Sequence, residues 1–277
     1  MPEVTANGHV IASKGTDATI AAPSRGEGAD KIMSDDLAGP AHWDKRSWPR
    51  RLRMPSRSDV GNAGLLGLLD SHVTPGCRVL EVGCAPGGFL LWCALTRKAH
   101  ACGVDYAEKS CRQTLQYFAD AAAAADIRQE DIMQTSFEPG SFDVVYSLGV
   151  VEHYSDPAPM VQKHLELLKP GGIAIITVPN YGPEGIYGWL KQRLSPETYR
   201  LHNISIMTVD AMLALSPDNC SARAYAFGRL APGLLSLQVL PRPLGGLLGI
   251  ALNLVGLMQP TEIRALRPWL VLELRRR

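Results

Sequence analysis

Between Arg78 and Phe89 the chain reads R-V-L-E-V-G-C-A-P-G-G-F, a short apolar run that passes straight into glycines. Glycine lacks a Cβ and adopts positive φ without strain, so such a turn lets backbone approach a ligand closely. A helix opening at about Phe89 aims its free N–H groups at whatever carries negative charge in that space. Glu81 stands two residues before the first glycine, giving E-x-G-x-A-x-G. A pyrophosphate needs G-x-G-x-x-G, so this turn is built for something else. Three further groups can do chemistry. Asp105 and Asp131 each stand at the end of a strand candidate, where a carboxylate accepts hydroxyl or amino donors in charge-assisted hydrogen bonds. His153 follows a fourth run, and imidazole titrates close to working pH, so it is a candidate general base. Each has a plainer reading: Asp105 also suits a helix N-cap, and His153 also suits a packed wall.

The elements that must position these groups alternate. Strands are predicted at 78–82, 101–105, 127–131, 142–147 and 173–178, with helices near 89–96, 108–124 and 157–168 between them. That alternation is the mark of a parallel sheet covered on both faces. Lys169-Pro170-Gly171-Gly172 stops the last of these helices. An earlier helix is predicted from Ser58 or Asp59 to His72. Beyond Pro179 a helix spans about 183–194, Thr208 caps another running to Leu215, and 222–228 and 269–274 supply two final strands. The domain reading is an arm at 1–40, rich in small polar residues and expected to be disordered, then a helical cap at 41–75. The core covers 76–228 with a lid at 180–207, an apolar insertion occupies 229–267, and the last strand lies at 268–277.

A net charge of +1 gives no electrostatic case for nucleic acid. Six cysteines without a C-x-x-C pair suggest reduced, buried thiols in a cytoplasmic protein. No basic stretch followed by an apolar core marks the first residues as a signal peptide. The uncharged run from Leu244 to Met258 is too short to span a bilayer. A buried helical hairpin or cap is the favoured reading of that run and of Leu230–Leu240 before it, with membrane-surface contact as the second.

The run around Gly83 resembles motif I of the class I S-adenosylmethionine-dependent methyltransferases. Phe142–Pro157 (FDVVYSLGVVEHYSDP) and Lys169–Val178 (KPGGIAIITV) resemble the fourth and fifth strand regions of their small-molecule, ubiquinone/menaquinone methyltransferase-like branch. The likeness covers about 76–180, and its motifs stand in order at the right intervals. It implies a Rossmann-like α/β fold with seven strands, mostly parallel and with the last antiparallel. It also implies S-adenosylmethionine as cofactor, S-adenosylhomocysteine as product, and a cofactor site of Glu81, Gly83, Cys84, Ala85, Gly87, Asp105, Tyr106, Asp131, Ile132, Ser147 and Leu148. Asp105 would take the ribose hydroxyls, Asp131 the adenine amino group, and Ile132 the ring face. Ala85 replaces the family's middle glycine, so its backbone must tolerate a Cβ.

Methyl transfer from a sulfonium demands alignment and exclusion of water, and a base only where the acceptor carries a proton. His153 is the first candidate base, with Tyr154 behind it. Trp43, Trp48, Tyr181, Tyr187, Trp189 and His202 are candidate substrate walls, although aromatic residues more often pack a core. Glu152-His153 lacks further ligands for a metal, so none is expected. The apolar insertion suggests a lipophilic acceptor pocket. The expectation is a methyltransferase of small lipophilic or aromatic metabolites in the style of natural-product biosynthesis. O- or N-methylation is favoured and C-methylation remains an option. An RNA or protein methyltransferase is one alternative, but the Pro-Cys dipeptide of RNA 5-methylcytosine enzymes is absent. The other is a cofactor-binding protein without catalysis. Oligomeric state is not legible.

Overall fold

The computed structural model describes residues 3–4, 10–11, 19–20, 36–45, 49–183, 185–259 and 263–277. Three two-residue strands, β1 (Glu3–Val4), β2 (Val10–Ile11) and β3 (Thr19–Ile20), precede helices α1 (Pro40–Asp44) and α2 (Val60–Asp70). The alternating region follows: β4 (Arg78–Val82), α3 (Gly88–Arg97), β5 (His100–Asp105), α4 (Glu108–Asp120), β6 (Asp126–Gln129), β7 (Phe142–Leu148), α5 (Ala158–Leu167) and β8 (Leu168–Pro179). Helices α6 (Ile186–Leu194), α7 (Pro196–Tyr199) and α8 (Val209–Ala214) lead to β9 (Cys220–Phe227). Helix α9 (Arg242–Met258) separates it from β10 (Trp269–Arg276).

The seven longer strands stand in the order β6-β5-β4-β7-β8-β10-β9. All run parallel except β10, which is antiparallel to both β8 and β9. This is the sheet the sequence predicts. Its central strands are unbroken apolar runs because helices cover both faces. From β4 the chain steps outward to β5 and β6, then returns to β7 on the other side. The crevice at the carboxyl ends of β4 and β7 lies at that reversal, where doubly wound sheets bind their ligands.

Several expectations change. Within the arm expected to be disordered, the six described residues of β1, β2 and β3 pair and extend the sheet beyond β6, with Thr19 beside Asp126. Five of the six are Val, Ile or Thr, side chains that favour extended backbone. Helix α4 stops at Asp120 instead of continuing through the alanines. Ala122 turns left-handed at φ 50°, and the Ala123 N–H donates to the Phe118 carbonyl at 3.0 Å. That closure satisfies a terminal carbonyl and sends the chain back into β6.

The apolar insertion is not a buried hairpin. Pro232–Leu234 and Leu237–Val239 form single 3-10 turns, and α9 presents most of its large side chains to the exterior. Gly245 and Gly256 set this arrangement. A Cβ at Gly245 would lie 2.7 Å from the Leu237 carbonyl oxygen, and one at Gly256 would lie 2.9 Å from Val60 Cγ1. The glycine-bearing face of α9 therefore lies against the domain, with Leu252 beside it on the core.

Candidate active site

Strand β4 delivers the glycine turn to the crevice. Gly83 and Gly87 adopt φ of 67° and 80°, and a Cβ at Gly83 would lie 2.6 Å from Val150 Cγ2. Ala85, between them, is not among the residues at positive φ, which is why a Cβ is tolerated there. Gly87 caps α3 without a side chain, leaving the first-turn amides to face a cleft of about 980 Å³. Glu81 lines that cleft too. It accepts from the Tyr146 hydroxyl at 3.0 Å, and burial pushes its carboxyl up to about 8.

A second cavity of about 360 Å³ adjoins the cleft, sharing Gly83, Ala85, Leu148 and Trp269 with it. Asp105, at the end of β5, lies on its wall. One carboxylate oxygen accepts from Ala107 N at 2.9 Å and the other from Ala85 N at 3.3 Å, so the side chain ties strand to turn. A carboxylate oxygen has a further lone pair, so each can still accept one donor from the cavity. Burial pushes this carboxyl up to about 6. Tyr106 and Ile132 also line the cavity.

The far end holds a polar cluster. Glu152, His153 and His202 each contribute one potential ligand atom, and those atoms lie within 4.8 Å of one another. His153 donates its Nδ1 proton to the Leu201 carbonyl at 2.7 Å, and His202 donates to the Thr198 carbonyl at 2.8 Å. This tautomer leaves each Nε2 with its lone pair. Burial, then the neighbouring His202, pushes His153 down to about 4. Burial pushes Glu152 up to about 8, and its Oε2 has no hydrogen-bond partner among the described residues. His202 arrives on a loop that Asn203 straps down. The Asn203 backbone N–H donates to the Glu152 carbonyl at 2.6 Å, and its side chain donates to the carbonyls of Tyr154 at 3.1 Å and Ser155 at 3.0 Å.

The segment before α1 closes the cavity from above. Leu37 N donates to the His153 carbonyl at 2.7 Å, Asp36 pairs with Tyr154 as an isolated bridge, and the Tyr106 hydroxyl donates to the Asp36 carboxylate. The Trp43 ring stands edge-on to His153 at 5.0 Å.

Other predicted site residues take different parts. Cys84 is fully buried, its sulfur packed against Gly103, where a Cβ would come within 2.7 Å. It contributes backbone to the turn and no side chain to the cavity. Ser147 is likewise buried and lines neither space. Asp131 uses one oxygen to accept from Met133 N at 2.9 Å, capping the turn at 132–134, and it does not line the cavity. Tyr154 lines the cavity, but burial, then Asp36, pushes its phenol well above the usual range, so it is a poor base. The Tyr187 hydroxyl donates to the Leu266 carbonyl at 2.8 Å and accepts from Ala231 N at 3.0 Å, pinning α6 to the insertion. Trp189 is exposed, and the Arg193 guanidinium lies over its ring. Tyr181 sits behind His202 with ring centroids 5.1 Å apart. Trp48 lies outside the described residues. The expectation of no metal rested on the lack of further ligands near Glu152-His153, and the fold brings a potential ligand atom of His202 beside them. Glu152 escaped selection although it adjoins His153 in sequence, and nothing in the polar arm pointed to Asp36.

Residues 80–176 match a family model described as a methyltransferase domain. The chain is 30% identical over 140 residues to a ubiquinone biosynthesis O-methyltransferase from Pseudomonas aeruginosa (strain UCBPP-PA14), a match covering 50% of this chain and 60% of that protein. The chain thus spans less than two thirds of that relative's length. Among solved structures, phosphoethanolamine N-methyltransferase 2 of Haemonchus contortus in complex with S-adenosyl-L-methionine superposes with a TM-score of 0.55 at 16% identity, covering 76% of this chain and 51% of that one. Geranyl diphosphate C-methyltransferase of Streptomyces coelicolor A3(2) gives 0.56 at 12% identity, covering 92% and 100%. At these identities the structural likeness is one of fold. Residues 80–176 are thus similar to a methyltransferase domain, and the relatives that share this region support a class I S-adenosylmethionine-dependent methyltransferase.

Proposed function

We propose that this chain methylates an oxygen or nitrogen of a small lipophilic or aromatic metabolite, as natural-product tailoring enzymes do, with an electron-rich carbon as a third option. The observation that carries this reading is the meeting of Glu152, His153 and His202 inside a largely apolar cavity beside the glycine turn. S-adenosylmethionine, when bound, supplies the activated methyl group. The chain fits it at two places. Asp105 keeps hydrogen-bonding capacity toward the cavity, beside Tyr106 and Ile132, for a ribose and its base. The positive-φ turn at Gly83 and Gly87, with Glu81, offers backbone and a carboxyl for an amino-acid end.

The rest is done by side chains. Nε2 of each histidine and the Glu152 carboxylate all accept hydrogen bonds, so the complementary acceptor brings O–H or N–H groups. The proton that the acceptor oxygen or nitrogen must give up passes to Glu152 and later to water. His153, neutral above about 4, holds the donor in place. Leu148, Val150, Met160 and Leu234 wall the reaction off from water. The six cysteines are free and buried, which supports a reducing, cytoplasmic setting.

A panel of phenols, catechols and amines, incubated with S-adenosylmethionine and read by mass spectrometry, tests the proposal. Gain of one methyl group on a panel member, lost in Glu152→Gln, supports it. Methylation of bulk RNA or protein alone would overturn the substrate class, and tight cofactor binding without turnover of any acceptor would favour the non-catalytic alternative. One observation favours a second reading of the cluster. Both imidazoles donate their other ring N–H to backbone carbonyls, the orientation that metal-binding histidines adopt. A divalent ion on the three groups would leave positions open for the acceptor. Metal analysis of the purified protein, with His202→Ala as control, separates the two readings.

A further inference from the structure

Helix α9 is turned inside out. The residues against the domain are mostly small or polar, Gly245, Gly249, Asn253 and Gly256, with Leu252 the one large side chain of α9 packed against the core. Asn253 accepts from Val60 N and donates to the Ser58 carbonyl, each at 3.0 Å. Those facing outward are large and apolar, with Leu247 67%, Ile250 62%, Val255 59% and Met258 83% exposed. No charged residue occurs from Pro243 to Met258. A helix that ends its folding in water carries the opposite pattern, and a contiguous apolar face of this kind marks a surface meant to be covered.

The surroundings indicate what covers it. The 980 Å³ cleft runs between α9, through Gly246, Ile250 and Leu254, and the segment Leu52–Pro55, with the glycine turn at its floor. Arg53 lies on that opposite rim and Arg50 and Arg51 precede it in the chain, all three exposed and without an ion pair among the described residues. An apolar helix flanked across a cleft by unpaired arginines complements a layer of anionic headgroups above acyl chains. The helix has 17 residues, and no helix among the described residues is long and apolar enough to cross a membrane.

We propose that α9 lies flat in the headgroup–acyl boundary of an anionic bilayer, with Arg50, Arg51 and Arg53 on the headgroups. The cleft then opens onto the lipid surface, a route for the lipophilic acceptor; that last clause rests on the proposed function, whereas docking itself does not.

Vesicle flotation tests the docking. The protein is mixed with phosphatidylcholine vesicles, alone or containing phosphatidylglycerol, at low and high salt. Wild type floats with the anionic vesicles, and salt or omission of phosphatidylglycerol weakens binding by on the order of a hundredfold for three arginines. The variant Leu247→Ser/Val255→Ser/Met258→Ser loses flotation at both salts, and Arg50→Gln/Arg51→Gln/Arg53→Gln loses only the preference for anionic lipid. None of the three serine positions lines either cavity, so unchanged S-adenosylmethionine binding shows that the variant is folded. Wild type that stays at the bottom of the gradient overturns the proposal. So does a lipid-free dimer that the serine variant dissolves, which would make a second copy the cover. Flotation without any methyl transfer would leave docking standing and count against the proposed function alone.

Discussion

Replacing Glu152 by Gln keeps the side chain's shape and removes its ability to take a proton. Burial holds this carboxyl at about 8, so the base form grows as pH rises. At pH 7 only about a tenth of it is carboxylate. Initial rates at saturating cofactor and acceptor should therefore rise about tenfold per pH unit below 8 and level above it. Glu152→Gln should flatten this limb and lower the plateau by ~10²-fold or more, the usual contribution of a positioned general base. Stability moves the other way. A carboxyl raised from 4.5 to about 8 binds its proton more tightly folded than unfolded, so its contribution is complete below 4.5 and is lost as pH rises toward 8. Above pH 8 the Gln variant should thus melt higher than wild type, by the equivalent of a few kcal/mol at most. The assay is a pH–rate profile of methylated product, paired with thermal melts at pH 6 and 9. A rate that is level from pH 6 to 9 would refute the reasoning, because His153, at about 4, is already neutral throughout that range.

Four further substitutions separate positioning from packing. Asn203→Ala cuts the side-chain strap to the carbonyls of Tyr154 and Ser155, so His202 loses its place; kcat/KM should fall about tenfold while cofactor affinity in a binding titration stays unchanged. Gly83→Ala puts a Cβ 2.6 Å from Val150 Cγ2 at a φ of 67°, and should abolish cofactor binding. Ala85→Gly should bind normally, since Ala85 needs no left-handed backbone. Tyr187→Phe strands the Leu266 carbonyl and the Ala231 N–H, which should lower unfolding free energy by about 1–3 kcal/mol in denaturant titration; unaltered cofactor affinity would confirm that Tyr187 is a pin and no substrate wall.

What could be read from the chain was whatever follows from local pattern. Strand β4 is predicted and observed at the same bounds, because a strand covered on both faces is a run of apolar residues that polar turns delimit. Asp105 is legible for the same reason: it is the polar residue that ends such a run. His202 was visible only as a histidine, since its partners lie 49 and 50 residues back and the loop that brings it follows no period. Tyr187 and Trp189 illustrate a different limit. Two residues apart on α6 they point to nearly opposite sides, so one is buried and hydrogen-bonded and the other exposed. The apolar composition of α9 suggested burial, whereas the spacing of Gly245, Gly249 and Gly256 decides which face turns inward. Composition alone carries no such direction.

Isothermal titration of the purified protein with S-adenosylmethionine and S-adenosylhomocysteine, beside Asp105→Ala, tests the central claim most directly. The account predicts micromolar affinity for both ligands, weakened at least about a hundredfold in the variant, since Asp105 both ties β5 to the turn and faces the cavity. A folded wild-type protein that binds neither ligand, or a variant that binds as well as wild type, would contradict it.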